Sequence, residues 1–159
     1  MVFYRGFGEF RAAPWLSNSN ELVRHMTAVR CRGGQTQIER ILRHAKSESK
    51  KKKVDALVFV GDCVEEDVDR LCALAGELGL LGVPAFVFQE GFEPLAMGAF
   101  KEIARLTKGA YCQFDSASAQ QLRALLSAVA VYAAGGRRAL EDYSKRAGAD
   151  VLKIAHQIR

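Results

Sequence analysis

Three short apolar runs, each followed by a stretch with helical periodicity, constrain the fold of this chain more than any other feature. The runs are Ala56–Val60, Pro84–Phe88 and Ala110–Phe114. A continuous apolar run of this length is typical of a strand buried on both faces, as in a parallel sheet. The alternation of such strands with amphipathic helices predicts an α/β fold in which helices cover both faces of a mostly parallel sheet.

The helices are predicted from apolar residues spaced three and four apart. Such a stripe follows Thr36, and Thr36 with Glu39 has the spacing of a capping box, which predicts that Thr36 begins this helix. Further stripes follow each apolar run, and Gly135-Gly136 is expected to break the last of them. Beyond that break, a single final helix is predicted, with one apolar stripe from Leu140 to Ile158.

The N-terminal residues predict a β-hairpin. Val2–Gly6 and Phe10–Pro14 are rich in strand-forming residues, and Gly6-Phe7-Gly8 between them provides the turn. Because mostly parallel sheets often carry an antiparallel strand at one side, we expect the hairpin to form an antiparallel edge of the main sheet.

The net charge of +5 is concentrated in one stretch of the chain. Between Arg43 and Lys53, six basic residues accompany the single acidic residue Glu48, so the remainder of the chain is neutral. Surfaces that bind nucleic acid combine basic residues with aromatic residues on which bases stack, and Lys50–Lys53 contains none. We therefore expect a solvated lysine-rich loop and no nucleic-acid partner.

The distribution of apolar residues and cysteines predicts a cytoplasmic protein. No apolar run approaches the roughly 20 residues that cross a bilayer, so no membrane partner is expected. Arg5 and Glu9 interrupt the N-terminal region where a signal peptide would be apolar. The four cysteines are scattered without a C-x-x-C pair, which favours free thiols in a reducing compartment over a zinc site.

Five carboxylates follow the first apolar run, at the end of a strand where ligands bind in open α/β sheets. They are Asp62, Glu65, Glu66, Asp67 and Asp69. One interpretation is structural, with Asp62 capping the next helix and the other acids near its positive N-terminal end. The other is an oxygen-ligand site for a hard cation such as Mg²⁺. Spacing alone favours the structural interpretation.

The segments Gly33-Gly34-Gln35-Thr36 and Val60-Gly61-Asp62, together with Tyr4–Glu9 and Phe100–Phe114, resemble von Willebrand factor type A (VWA) domains. They are similar in particular to a bacterial subgroup of uncharacterised cytoplasmic members. In that family, three loops assemble a metal-ion-dependent adhesion site. The resemblance implies that Thr36 represents the threonine of the second loop and Asp62 the aspartate of the third. The D-x-S-x-S motif of the first loop does not occur in this sequence.

The resemblance implies a three-layer α/β sandwich, VWA-like or Rossmann-like, over residues 1–134, with a C-terminal helical extension over 135–159. The first strand and helix of the family have no counterpart here, so the fold is expected to be truncated at its N-terminus. That strand lies between the hairpin and the Ala56–Val60 strand. We therefore expect an open edge that recruits a strand, either from a protein partner or from a second copy in a homodimer.

The resemblance also implies a function in protein interaction rather than catalysis. VWA domains bind protein partners, and a carboxylate of the partner often completes the coordination of the metal. With only Thr36 and Asp62 present, binding of Mg²⁺ by this chain alone is expected to be weak or absent. No serine stands in a G-x-S-x-G motif and no phosphate-binding loop ends in Lys-Ser/Thr, so no enzyme is expected.

Three alternatives remain open at this point. In the first, the chain is a scaffold that binds without a metal. In the second, another chain completes its metal site. In the third and least favoured, the chain is a metal-dependent hydrolase. A hydrolase of that kind needs a second set of carboxylates facing the acidic loop.

Overall fold

The structure, a computed structural model, describes residues 1–30, 32–115 and 117–158. These residues form five strands and six helices. The strands are β1 (Val2–Arg5), β2 (Glu9–Ala12), β3 (Leu57–Gly61), β4 (Ala85–Glu90) and β5 (Ala110–Phe114). The helices are α1 (Ser19–Thr27), α2 (Ile38–Lys51), α3 (Val68–Leu80), α4 (Pro94–Leu106), α5 (Ala119–Ser144) and α6 (Ala149–Gln157). Over the described ranges, none of these helices combines the length and apolar character needed to traverse a bilayer.

The main sheet contains the three strands that the apolar runs predict. Its order is β3-β4-β5, and both pairs of neighbours are parallel. The register places Val58 opposite Phe86 and Phe88 opposite Cys112. The prediction of three adjacent parallel strands is confirmed.

Two hydrophobic clusters lie on opposite faces of this sheet. Helices α2, α3 and α4 pack on the face that carries Phe59 and Val87. Helices α5 and α6 pack on the face that carries Phe86 and Phe88. The predicted apolar stripes of α2 and α3 are buried in the first cluster, and they comprise Ile38, Ile41, Leu42, Ala45, Leu71, Leu74, Ala75 and Leu78. The chain is therefore an α/β protein with helices on both faces.

The N-terminal hairpin forms, but not where the sequence predicted it. β1 and β2 pair in a separate two-stranded antiparallel sheet, so the prediction of an antiparallel edge on the main sheet is wrong. Phe10 packs against α2, where its ring contacts His44 edge-on and lies under the Arg40 guanidinium. Val2 and Tyr4 are packed against the same cluster. Burial of these side chains, rather than strand pairing, determines where the hairpin lies.

β3 is less buried than its composition predicted. Phe59 is buried, whereas Val58 is 37% exposed and Val60 is 47% exposed. These two valines share a face with Phe86 and Phe88 of the neighbouring strand, which are fully buried. Helices α5 and α6 cover β4 and β5 on this face and leave β3 partly uncovered. The prediction of a strand buried on both faces is therefore wrong for β3.

The C-terminal region is interrupted twice. Gly136 has φ 68° and breaks α5, which confirms the predicted break. The prediction of a single final helix is wrong, because α5 ends at Ser144 and α6 begins after Gly148. The predicted stripe is still buried, since Leu140, Val151, Ile154 and Ile158 all lie in the second cluster.

Candidate functional site at the carboxyl edge of the sheet

Several segments meet near the carboxyl ends of the parallel strands. The loop after β3 carries Asp62 and the other acidic residues, and the loop after β4 leads into α4. The segment before α2 approaches the loop after β3 through Thr36. The hairpin turn joins this end of the molecule because the Arg40 guanidinium, in the first turn of α2, donates to the Gly8 carbonyl at 2.8 Å.

Thr36 is held by the loop that contains Asp62. The backbone N–H of Thr36 donates to the Glu65 carboxylate at 2.9 Å, and the backbone N–H of Glu65 donates to Thr36 Oγ1 at 3.1 Å. Thr36 is buried whereas Glu65 is exposed, so this pair of hydrogen bonds is partly buried. The hydroxyl of Thr36 therefore already accepts one hydrogen bond and has one further lone pair.

The group that caps the N-terminus of α2 belongs to a residue far away in the sequence. Gln37 is the residue that precedes the helix, and the Glu66 carboxylate accepts hydrogen bonds from the N–H groups of Ile38 at 2.6 Å and Glu39 at 2.8 Å. A carboxylate at this end also interacts favourably with the helix dipole. The predicted capping box of Thr36 and Glu39 is therefore wrong, because Thr36 is engaged with Glu65 instead.

The next helix, α3, is capped by Asp67 and not by Asp62. Asp67 Oδ1 accepts from the N–H groups of Asp69 at 2.9 Å and Arg70 at 3.2 Å. α3 begins at Val68, which places Asp62 too far back in the loop to reach its first N–H groups. The structural interpretation of Asp62 as a cap is wrong, and Asp62 is exposed at the start of the loop.

The pKa values of two groups near this loop respond to its negative charges. Burial raises the pKa of the Tyr4 hydroxyl above its ordinary value, and the charges of Glu66, Cys63 and Asp62 raise this pKa further. Desolvation raises the pKa of the Cys63 thiol, and the adjacent Asp62 carboxylate raises it again. Negative charge near a group that ionises to an anion has this effect. The surroundings of Asp62 are therefore negative.

The oxygen atoms near Asp62 provide only some of the ligands that a bound cation needs. Over the ranges described by the structure, no three His, Cys, Asp or Glu side chains form a group that could hold a metal ion. The carboxylates of Glu65 and Glu66 are bound to backbone N–H groups of α2 and its preceding segment. This leaves the Asp62 carboxylate, the second oxygen of Glu65 and one lone pair of Thr36, whereas Mg²⁺ takes six oxygen ligands. These residues do not make a complete site for Mg²⁺.

Two aromatic residues in loops at this edge are exposed, and sequence reasoning did not single them out. Phe7 lies in the hairpin turn and is 87% exposed, and Phe92 lies in the loop after β4 and is 79% exposed. Phe92 follows β4 as Asp62 follows β3, and because these neighbouring strands are parallel, both loops lie at the same edge of the sheet. Large apolar side chains exposed together at one edge of a domain are typical of a binding surface.

Comparisons of the chain with protein-family models, with curated proteins and with solved structures find no match. The residues of this edge present three kinds of chemical group. They offer a negative patch around Asp62, a fixed hydroxyl from Thr36 and two exposed rings from Phe7 and Phe92. Such a set can bind a positively charged or metal-bridged surface that also presents apolar groups.

Proposed function

We propose that the chain is a protein-interaction module, and that its binding face is the carboxyl edge of the parallel sheet. The observation that carries this proposal is the exposure of Phe7 in the hairpin turn and of Phe92 in the loop after β4, at the edge that also carries the acidic loop. Aromatic side chains contribute a large share of the binding energy at protein interfaces. We refer to Phe7, Phe92 and Asp62 together as the edge patch.

The edge patch is supported by a fixed framework. Hydrogen bonds that involve Glu65 and Glu66 join the loop after β3 to the start of α2. The Arg40 guanidinium joins the start of α2 to the hairpin turn. A surface whose loops are already ordered loses less conformational entropy when a partner binds. The framework therefore favours recognition of a partner by a preformed face.

The resemblance to VWA domains implies that a metal ion takes part in binding the partner. In this proposal, Thr36 and Asp62 are the two residues of the chain that contact a Mg²⁺ ion, and water or a carboxylate of the partner supplies the remaining ligands. The chain alone then binds Mg²⁺ weakly, because fixed oxygen donors replace few of its waters.

A second candidate is a metal-independent scaffold that binds through the same patch. The observation that favours it is that backbone N–H groups occupy both oxygens of Glu66 and one oxygen of Glu65, which leaves few carboxylate oxygens for a metal. In that case Asp62 contacts a basic residue of the partner directly.

Site-specific photo-crosslinking tests the proposal. A photoreactive amino acid is placed at Phe7, at Phe92 or, as a control, at Leu80, which is 91% exposed at the opposite end of α3. We expect the same discrete crosslinked product from positions 7 and 92 and not from position 80. Identical products at all three positions, or none at 7 and 92, would contradict the proposal.

The role of the metal is tested with the same crosslinks. If Mg²⁺ bridges chain and partner, EDTA abolishes the products at positions 7 and 92, and Asp62→Asn does the same in the presence of Mg²⁺. If the scaffold is metal-independent, EDTA leaves the products unchanged, and Asp62→Asn still weakens them.

A further inference from the structure

Among the helices described above, α1 is the least buried. It has nine residues, and within the described part of the chain none of them is buried. The Asn18 side chain caps the helix by accepting from the Asn20 N–H at 2.9 Å. Capping alone does not stabilise so short a helix in water, because isolated helices of fewer than about 12 residues are marginal. The stability of α1 therefore requires an apolar contact with another part of the protein.

The apolar residues of α1 lie together on one face of the helix. Leu22, Val23 and Met26 have the spacing of a helical stripe, and Arg24 lies on the opposite face. All three apolar side chains are exposed, so the described residues leave this stripe uncovered. A stripe of this kind is typical of a helix that packs on an apolar surface.

The start of α1 is anchored beside the amino end of β3. Trp15 Nε1 donates to the Glu48 carboxylate in the last turn of α2 at 2.7 Å. Residues 15–17 line a cavity of about 450 Å³ whose wall also includes Ala56, which directly precedes β3, and Ala133 of α5. The chain therefore enters α1 on the face of the sheet that α5 covers.

The end of α1 is anchored toward the carboxyl end of β3. The Arg5 guanidinium donates to the Arg30 carbonyl at 2.9 Å, and the Gly6 N–H donates to the Arg32 carbonyl at 3.4 Å. Arg5 and Gly6 lead into the hairpin turn, which Arg40 joins to the start of α2 at the carboxyl edge of the sheet. Because its two anchors lie at opposite ends of β3, α1 runs in the same direction as this strand.

Two residues of β3 offer α1 an apolar surface. Val58 and Val60 are partly exposed, on the face where α5 and α6 cover the neighbouring strands. Ala56 points to the same face, because side chains alternate along a strand. Since the start of α1 is anchored beside Ala56, the helix and the two valines lie on the same side of the sheet.

The spacing of the α1 stripe matches the spacing of the two valines. Leu22 and Met26 are separated by one turn of helix, which is about 6 Å along the axis. Val58 and Val60 are alternate residues of a strand, which is about 6.6 Å along the strand. Because the two elements run in the same direction, Leu22 faces Val58 and Met26 faces Val60 when the helix lies on the strand.

We propose that α1 is a strap that closes over the exposed face of β3, and that the closed position predominates in the free chain. Leu22 and Met26 then pack on Val58 and Val60, and both apolar surfaces leave water. The anchors at its two ends keep α1 beside β3, so closure costs less entropy than the binding of a separate molecule. The face of β3 is therefore occupied by α1 rather than by a second copy or a partner. Closure does not involve the edge patch.

Methyl NMR of the full chain tests closure directly. The chain is labelled with ¹³C only in the methyl groups of methionine and valine, and the Met26 signal is identified by its loss in Met26→Leu. We expect nuclear Overhauser contacts from the Met26 methyl group to those of Val60. Met97 packs against the first cluster, on the opposite face of the sheet, and should show no contact with Val58 or Val60. Absence of contacts from Met26 to both valines would overturn the proposal.

A matched pair of substitutions measures the contribution of closure to stability. Met26→Gln and Arg24→Gln each replace an exposed residue of α1, and Met, Arg and Gln have similar helix propensities. In urea unfolding, we expect Met26→Gln to raise the equilibrium constant for unfolding at least about fivefold and Arg24→Gln less than about twofold. Equal effects of the two substitutions would overturn the proposal.

A double variant tests whether Met26 acts through β3. In a chain that carries Val60→Thr, Met26→Gln should raise the equilibrium constant for unfolding less than it does in the wild-type chain, because the two side chains are in contact when α1 is closed. The same effect of Met26→Gln in both chains would contradict closure on this strand.

Separate labelling distinguishes closure within one chain from exchange of α1 between two copies. Chains labelled only at methionine are mixed with chains labelled only at valine, and the mixture is unfolded and refolded together. We expect no contact between Met26 and Val60 in this sample. A contact would mean that α1 of one copy covers β3 of another, which would overturn the proposal.

Discussion

Thr36 and Glu65, 29 residues apart in sequence, are joined by two reciprocal hydrogen bonds: the Thr36 N–H donates to the Glu65 carboxylate and the Glu65 N–H donates to Thr36 Oγ1. Each residue thus satisfies a backbone donor of the other. The pair holds the segment before α2 against the loop after β3, and it places Thr36 at the loop that carries Asp62. The candidate metal-binding threonine is therefore a structural residue of this edge, whatever the edge binds.

The Thr36 hydroxyl is expected to contribute to stability as an acceptor. Thr36→Val preserves the shape of the side chain but leaves the Glu65 N–H without its partner. We expect the free energy of unfolding to fall by about 1–2 kcal/mol, the cost of one unsatisfied, part-buried donor. Urea unfolding measures this. Thr36→Ser, which keeps the oxygen, should lose less than half as much, and an equal loss in the two variants would contradict this role.

The Glu66 carboxylate is expected to stabilise α2 as its cap. Glu66→Ala removes the acceptor for the N–H groups of Ile38 and Glu39 and should lower the free energy of unfolding by about 1–2 kcal/mol. Asp69→Ala, in the same acidic segment, is the matched control, because Asp69 is exposed in the first turn of α3. Thermal melts should show a clearly larger decrease for Glu66→Ala. Equal decreases in the two variants would mean that the loss of a negative charge, and not the loss of the cap, lowers the stability.

Two glycines in α3 should respond oppositely to alanine. A Cβ at Gly79 would lie 2.2 Å from the Leu106 carbonyl oxygen at the end of α4, so Gly79→Ala forces the two helices apart. We expect a loss of about 1–3 kcal/mol. Apart from its chain neighbours and the backbone of its own helix, no described atom lies within 4 Å of a Cβ at Gly76, and Gly76→Ala should gain about 0.5–1 kcal/mol of helix propensity. Chemical denaturation of both variants checks the signs.

The Cys63 thiol is expected to report the charge of Asp62. Because desolvation and the Asp62 carboxylate raise its pKa, the reactive thiolate forms only at a higher pH than usual, and alkylation at pH 8 should be slow. Asp62→Asn removes a negative charge, lowers the pKa of Cys63 and should move the whole pH–rate profile to lower pH. Peptide mass spectrometry follows each cysteine separately.

Cys72 provides the internal control for this measurement. Its pKa is raised by desolvation and then by Glu102 and Asp69, none of which involves Asp62. Its alkylation should therefore not respond to Asp62→Asn. A Mg²⁺ ion bound at Asp62 should accelerate alkylation of Cys63 in the wild-type chain and leave Cys72 unchanged, so the same assay also measures metal binding at this position.

The prediction from sequence was most successful where the deciding pattern is local. The stripes of α2 and α3 were predicted residue by residue, because burial on one face of a helix recurs every three or four residues. β4 and β5 form where the apolar runs Pro84–Phe88 and Ala110–Phe114 predicted strands, with β4 shifted to Ala85–Glu90. For the site, the hydrogen bonds between Thr36 and Glu65 were not foreseen, and the convergence of Thr36 and Asp62 that the VWA resemblance implies stays a prediction.

The sequence by itself determined the type and order of the elements except for the separation of α5 from α6, since periodicity, glycine breaks and apolar runs act over a few residues. The tertiary structure decided which carboxylate caps which helix, because Glu66 reaches α2 across a separation that no local pattern encodes. It also decided that Val58 and Val60 of β3 are partly exposed while Phe86 and Phe88 of β4 are buried, although both strands are apolar. Burial of a strand depends on whether a helix covers it, and α5 and α6 cover β4 and β5 but stop short of β3.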